Sequence, residues 1–116
     1  GLSNTAIRND QRIKTMITFI EENYQTNITL QDIANSAYIS KSESIRCFNN
    51  LIKRTPIQFL KEYRLQKAEK LIVSTYMSIS DIAYTCGFTE MSCFTRSFRK
   101  LYKETPTQYR KKNILL

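Results

Sequence analysis

Two segments of this chain, FNNLIKRTPIQF over residues 48–59 and FRKLYKETPTQY over residues 98–109, carry Phe, Leu, Lys, Thr, Pro and Gln at identical places and both close on an aromatic. Upstream the match continues, with Asp32, Ile33 and Ala34 set against Asp81, Ile82 and Ala83, and the later copy has one extra residue in or after its turn. Composition does not generate such a coincidence. The chain is therefore two diverged copies of one unit about 50 residues apart, and the fold must accommodate that unit twice.

Each copy reads as a helix, a tight turn and a helix. In the later one, Asp81, Ile82 and Ala83 open a short apolar helix and Gly87 breaks it from a C′ position with positive φ. Thr89 starts the next helix, whose Phe94 and Phe98 stand four apart on one face. Ser92, Thr95, Arg96 and Arg99 recur on the opposite face as a polar, basic stripe, which suits the edge of a nucleic-acid groove. In the earlier copy Thr29 and Asp32 stand at capping-box spacing, so a short helix is expected from Leu30 to Ser36. After a turn at Ala37 to Ile39, Ser40 and Glu43 repeat that spacing and a helix should run to Ile52. Cys47, Phe48 and Leu51 are expected inward, with Ser42, Ile45, Arg46 and Asn49 on the outward stripe.

The connections follow from the same signals. Ile13, Met16, Ile17, Ile20 and Tyr24 recur at helical spacing, so a packing helix is expected from Asp10 to Tyr24 with Glu21 and Glu22 outside. Thr55 before Pro56 is a cap with proline at the first helical position, and Phe59, Leu60, Tyr63, Ala68, Leu71 and Ile72 carry that helix to Ser74. Its ~19 residues span roughly 28 Å, near the ~34 Å between successive major-groove segments on one face of B-DNA. Ser78 and Asp81 cap the second unit, and a last helix from Thr105-Pro106 ends in Arg110, Lys111 and Lys112, a basic tail within reach of phosphate. The divisions expected are a linker or expression remnant at 1–9, a first helix-turn-helix subdomain at 10–54, a connecting helix at 55–75 and a second subdomain at 76–113.

Composition narrows the chemistry. Of 116 residues 41% are apolar and only two are Gly and two Pro, which favours an ordered, helical chain. Eighteen Lys and Arg against ten acids give a formal charge of +8, and the pI near 9.6 points to a nucleic-acid partner. There is no histidine, and Cys47, Cys86 and Cys93 form no C-x-x-C pair, so neither a zinc site nor histidine-based catalysis is expected. The three cysteines fit small core positions in a reduced, cytosolic protein. No apolar run approaches the ~20 residues that span a bilayer, so no membrane partner is expected.

The block over residues 81–110, reading IAxxxGF, then FxRxFRK, then TPxxYR, resembles the signature of the AraC/XylS family of bacterial transcription regulators. The resemblance extends over residues 13–110. It implies an all-α domain of seven helices, in two helix-turn-helix subdomains joined by a long central helix, that binds double-stranded DNA without a cofactor. It also implies activation of transcription through contact with RNA polymerase in the bacterial cytoplasm and nucleoid, and a separate ligand-binding or dimerisation domain. The positions similar to the family's base-reading ones are Ser42, Ile45 and Arg46 in the first recognition helix and Met91, Ser92, Thr95 and Arg96 in the second. Arg46 and Arg96 suit guanine O6 and N7, and Ile45 a thymine methyl. Lys41, Asn49, Arg99 and the helix starts at Thr55 and Thr105 suit the phosphate backbone.

Three departures stand out. Lys53 and Lys103 occupy sites where the family commonly has a glycine, so each is expected at positive φ at about 1 kcal/mol. Ser44 replaces a large apolar residue. Two other functions compete with DNA reading. A DNA-repair methyltransferase-associated module would need a reactive thiol, whereas these cysteines fall inside the helical repeat. A helical protein- or RNA-interaction module would leave the duplicated outward stripes without a purpose. The chain is expected not to be an enzyme.

Overall fold

The computed structural model describes residues 4–113, and these form α1 (Asn4–Asn23), α2 (Leu30–Ser36), α3 (Lys41–Ile52), α4 (Pro56–Ser74), α5 (Ile79–Thr85), α6 (Met91–Tyr102) and α7 (Pro106–Asn113). The helices α2, α3 and α5 start where the sequence places a cap, at Thr29, Ser40 and Ser78. Among the described residues the fold is all-α, and no helix is long and apolar enough to cross a membrane. The chain divides into two compact units whose border falls within α4, between Lys61 and Glu62.

In the first unit Thr29 Oγ1 accepts from the Asp32 N–H at 3.1 Å while Asp32 Oδ2 accepts from the Thr29 N–H at 2.9 Å, so α2 opens with a complete capping box. Ser40 Oγ accepts from the Glu43 N–H at 3.1 Å to start α3, and the Glu43 carboxylate lies 3.7 Å from Arg12 Nη1. Ile13, Met16 and Ile20 of α1 are buried against α2 and α3, beside Ile33, Ala34, Ile39, Cys47 and Phe48. Each buried Ile, Met or Phe side chain among them contributes ~1.5–3 kcal/mol by leaving water. Phe59, from the start of α4, meets Phe48 edge to face at 5.7 Å.

Two expectations change here. α1 begins at Asn4 rather than Asp10, and Asn9 Oδ1 accepts from Arg12 and from the Cys47 thiol, so this stretch continues the helix. Leu51 is half exposed rather than inward. At 100° per residue it lies on the same side as Ser44, Cys47 and Phe48, so its exposure is set by height along the axis: the stripe is open at the last turn of α3. Ser44, in turn, is fully buried without strain on hydrogen bonding, because its Oγ donates back to the Lys41 carbonyl at 2.7 Å.

The second unit packs aromatics. Phe88, Phe94, Phe98, Tyr102 and Tyr109 form a chain of ring contacts with centroids 4.6–5.8 Å apart, and in the same unit Leu65, Ala68 and Ile72 of α4 and Ile82, Ala83 and Cys86 of the α5 region are buried. Tyr109 Oη donates to Glu69 at 2.9 Å, tying α7 to α4. Arg110 of α7 donates from Nε to the Ile72 carbonyl at 3.0 Å and from Nη2 to the Thr75 carbonyl at 3.3 Å. It therefore closes the C-terminus of α4 instead of extending as part of a basic tail, and Lys112 pairs with Glu104 at 2.7 Å. α6 starts at Met91 with Glu90 as its N-cap, two residues after the expected Thr89, and Glu90 makes no side-chain capping bond.

The residues at positive φ fall at corresponding places in the two copies. Lys53 and Lys103 end α3 and α6 at φ 62° and 68°, as the missing glycines imply. Gly87 takes φ 97° after α5, and its counterpart after α2 is Tyr38 at φ 58°. A non-glycine residue there costs ~1–2 kcal/mol.

Candidate nucleic-acid interface

The same packing that buries the inner faces of α3 and α6 fixes what their outer faces present. On α3, Lys41, Ser42, Ile45, Arg46 and Asn49 are all exposed, so the five expected contact positions on this helix lie on one accessible stripe. Ile45 keeps 39% of its surface in water, an apolar group held out beside Arg46. Its exposure is not needed by the core, which closes on Cys47 and Phe48.

On α6, Ser92, Arg96 and Arg99 are exposed, whereas Met91 and Thr95 are half-buried. All five, with Lys100 and Thr105, line one open groove beside α6 that ends at the first residues before α7. Lys100 was missed by sequence reasoning, although it stands four residues after Arg96 and so shares its side of the helix. Arg99 and Lys100 occupy the last turn of α6, where cations meet the negative end of the helix dipole and stabilise it.

The two stripes are not chemically equal. Fifty residues separate Asn49 and Asn50 from Arg99 and Lys100, so two amides on α3 become two cations on α6. The first stripe is mixed polar and apolar; the second is more strongly basic.

Thr55 and Thr105 are placed alike. Thr55 N–H donates to Gln58 Oε1 at 2.9 Å and Thr55 Oγ1 accepts from the Gln58 N–H at 3.1 Å; the Thr105–Gln108 pair repeats this at 3.0 and 3.2 Å. The recurring Gln of the repeat is thus the partner of the recurring Thr. Each threonine hydroxyl accepts its capping bond through a lone pair and can still donate its own proton, so a phosphate at either helix start would meet that O–H beside the positive helix end.

The thiols offer little chemistry. Cys47 and Cys86 are buried and Cys93 is half-buried, and all three are free. Burial pushes the Cys86 thiol up to about 11, against the opposing charge of Lys67, so it is protonated at neutral pH.

A family model described as a helix-turn-helix domain matches residues 33–112. The transcriptional regulator YdeC of Bacillus subtilis is 33% identical over 102 residues, which are 88% of this chain and 35% of that protein. The chain spans about a third of the length of the curated relatives it matches. Among solved structures, a transcriptional regulator of the AraC-type DNA-binding class from Chromobacterium violaceum is similar with a TM-score of 0.83 at 25% identity, covering 90% of this chain and 93% of that one. The DNA-binding domain of AdpA, solved in complex with a target DNA, is similar with a TM-score of 0.80 at 25% identity, covering 84% of this chain and 87% of that one.

Proposed function

This chain belongs to the AraC/XylS family of helix-turn-helix transcription regulators, and we propose that it binds double-stranded DNA in a sequence-specific way, placing α3 and α6 in successive segments of the major groove. The observation that carries this reading is the duplicated stripe: each copy of the unit buries one face of its second helix and exposes a polar, arginine-bearing face one helix wide. The AdpA domain, of the same fold, was solved on its target DNA, which supports the same use here.

In this reading Arg46 and Arg96 each bond guanine O6 and N7 through the guanidinium fork, and Ile45 packs on a thymine methyl. Ser42, Met91, Ser92 and Thr95 complete the base-facing set. Lys41, Asn49 and Arg99 hold phosphates, with the helix starts at Thr55 and Thr105 adding their positive ends. Residues 55–75 serve as the connector; the 19 residues of α4 span roughly 28 Å, comparable with the ~34 Å repeat of the groove. In the whole protein a further domain senses a ligand or dimerises, and contact with RNA polymerase turns DNA occupancy into activation at the bacterial nucleoid.

Two substitutions separate base reading from backbone holding. Arg46→Ala should weaken binding by ~1–3 kcal/mol and relax preference at one base pair, while Lys41→Ala should weaken all duplexes alike. An even loss across sequences for Arg46→Ala would make Arg46 a phosphate contact, and duplex-independent affinity in the unaltered chain would favour a general nucleic-acid or protein-binding module.

A further inference from the structure

The turns that precede α3 and α6 are built on the same hydrogen bonds. In the first, Tyr38 N–H donates to the Asn35 carbonyl at 3.0 Å and Ile39 N–H to the Ala34 carbonyl at 3.2 Å. In the second, Gly87 N–H donates to the Tyr84 carbonyl at 3.1 Å and Phe88 N–H to the Ala83 carbonyl at 2.9 Å. Ile39 and Phe88 then anchor each turn in its core. The turn is thus complete without a side chain at its left-handed residue, and the second copy has none, since Gly87 stands there at φ 97°.

The first copy nevertheless holds Tyr38 at φ 58° with 96% of its surface in water. The ring adds nothing to the core and the backbone is strained, so folding gives no reason for a tyrosine. A strained residue retained without structural return points to a contact made elsewhere. Tyr38 stands two residues before the Ser40 cap and three before Lys41, at the mouth of the α3 stripe.

We propose that Tyr38 is a backbone contact to DNA, its phenol O–H donating to a phosphate on the wall of the groove that α3 enters. This rests on the DNA-binding reading above. A turn leading into a groove-lying helix abuts the sugar-phosphate wall, where a tyrosine can donate to phosphate and cover the adjoining sugar. The contact positions α3 and carries no base information.

The test compares Tyr38→Gly and Tyr38→Phe with the unaltered full chain, by fluorescence anisotropy on a duplex selected from a random pool and on a scrambled duplex, alongside thermal unfolding. Tyr38→Gly relieves the strained φ, as Gly87 already does in the other copy, so its Tm should stay level or rise. Its affinity should fall by about 3- to 10-fold on both duplexes, and Tyr38→Phe should show most of that loss. Unchanged affinity in Tyr38→Gly overturns the proposal. So does a loss confined to one duplex, which makes Tyr38 a base contact, or a loss in Tyr38→Gly absent from Tyr38→Phe, which removes the hydroxyl from the contact. Failure of the unaltered chain to bind either duplex would instead sink the DNA-binding reading itself.

Discussion

Arg110→Ala distinguishes two fates for the basic end of the chain. From the residues alone, Arg110, Lys111 and Lys112 form a cationic tail; in the structure Arg110 is bonded to the Ile72 and Thr75 carbonyls at 3.0 and 3.3 Å. The final carbonyls of α4 have no donors within their own helix, and a guanidinium opposes the negative end of the dipole. A hydrogen bond from a charged donor contributes ~1.5–3 kcal/mol. The second bond is long and water can reach the freed carbonyls, so the pair should be worth about 2–3 kcal/mol. That is a fall in Tm of roughly 8–15 °C for a chain of this size, read by circular dichroism. Arg110→Lys retains the charge but loses the fork, and should recover no more than half of the loss. Measured well below Tm, DNA affinity should change by less than about 2-fold. An unaltered Tm with a uniform loss of affinity would refute the clamp and return Arg110 to the phosphate backbone.

Other perturbations follow from the same geometry. Lys53→Gly should stabilise the chain by about 0.5–1 kcal/mol in urea titration, the relief of φ 62° less the greater freedom of an unfolded glycine. Lys103→Gly should gain less, because Lys103 Nζ also donates to the Lys100 carbonyl at 3.2 Å. Tyr109 supplies a pH signature: burial and its bond to Glu69 push its phenol up to about 12 from 10, and burial raises Tyr102 as well. The folded chain then keeps a proton that the unfolded chain releases, so stability is full below pH 10 and declines from 10 towards 12. Tyr109→Phe should flatten that decline; an unchanged alkaline slope would show that Tyr109 does not drive it.

What the residues disclosed and what they withheld divide along physical lines. Local rules settled α2 and α3, because a Thr29–Asp32 capping box and Ser40 ahead of Glu43 act over three residues. The repeat located the second unit, and the family resemblance located the lysines at positive φ. Leu51, expected inward, is exposed in the structure, as is its counterpart Leu101. Phase alone could not show that, because exposure there depends on where the packed wall stops along the axis. The start of α1 was hidden for a similar reason: residues 4–9 carry no inward apolar stripe, so their helicity follows from the helix behind them. Arg110 and Tyr38 needed the backbone itself. One acts on carbonyls more than 30 residues away, and the other is notable only for a dihedral angle. The outward stripes were legible in full on α3; on α6, Lys100 joined the set once Thr105 closed the groove beside it.

The most direct test is a titration of the whole chain against a duplex selected from a random pool and a scrambled duplex of equal length, between 50 and 200 mM salt. A chain that reads sequence with two arginine-bearing helices should hold the selected duplex at least ~4 kcal/mol more tightly, with both affinities falling steeply as salt rises. Equal affinity for the two duplexes at every salt concentration would contradict it.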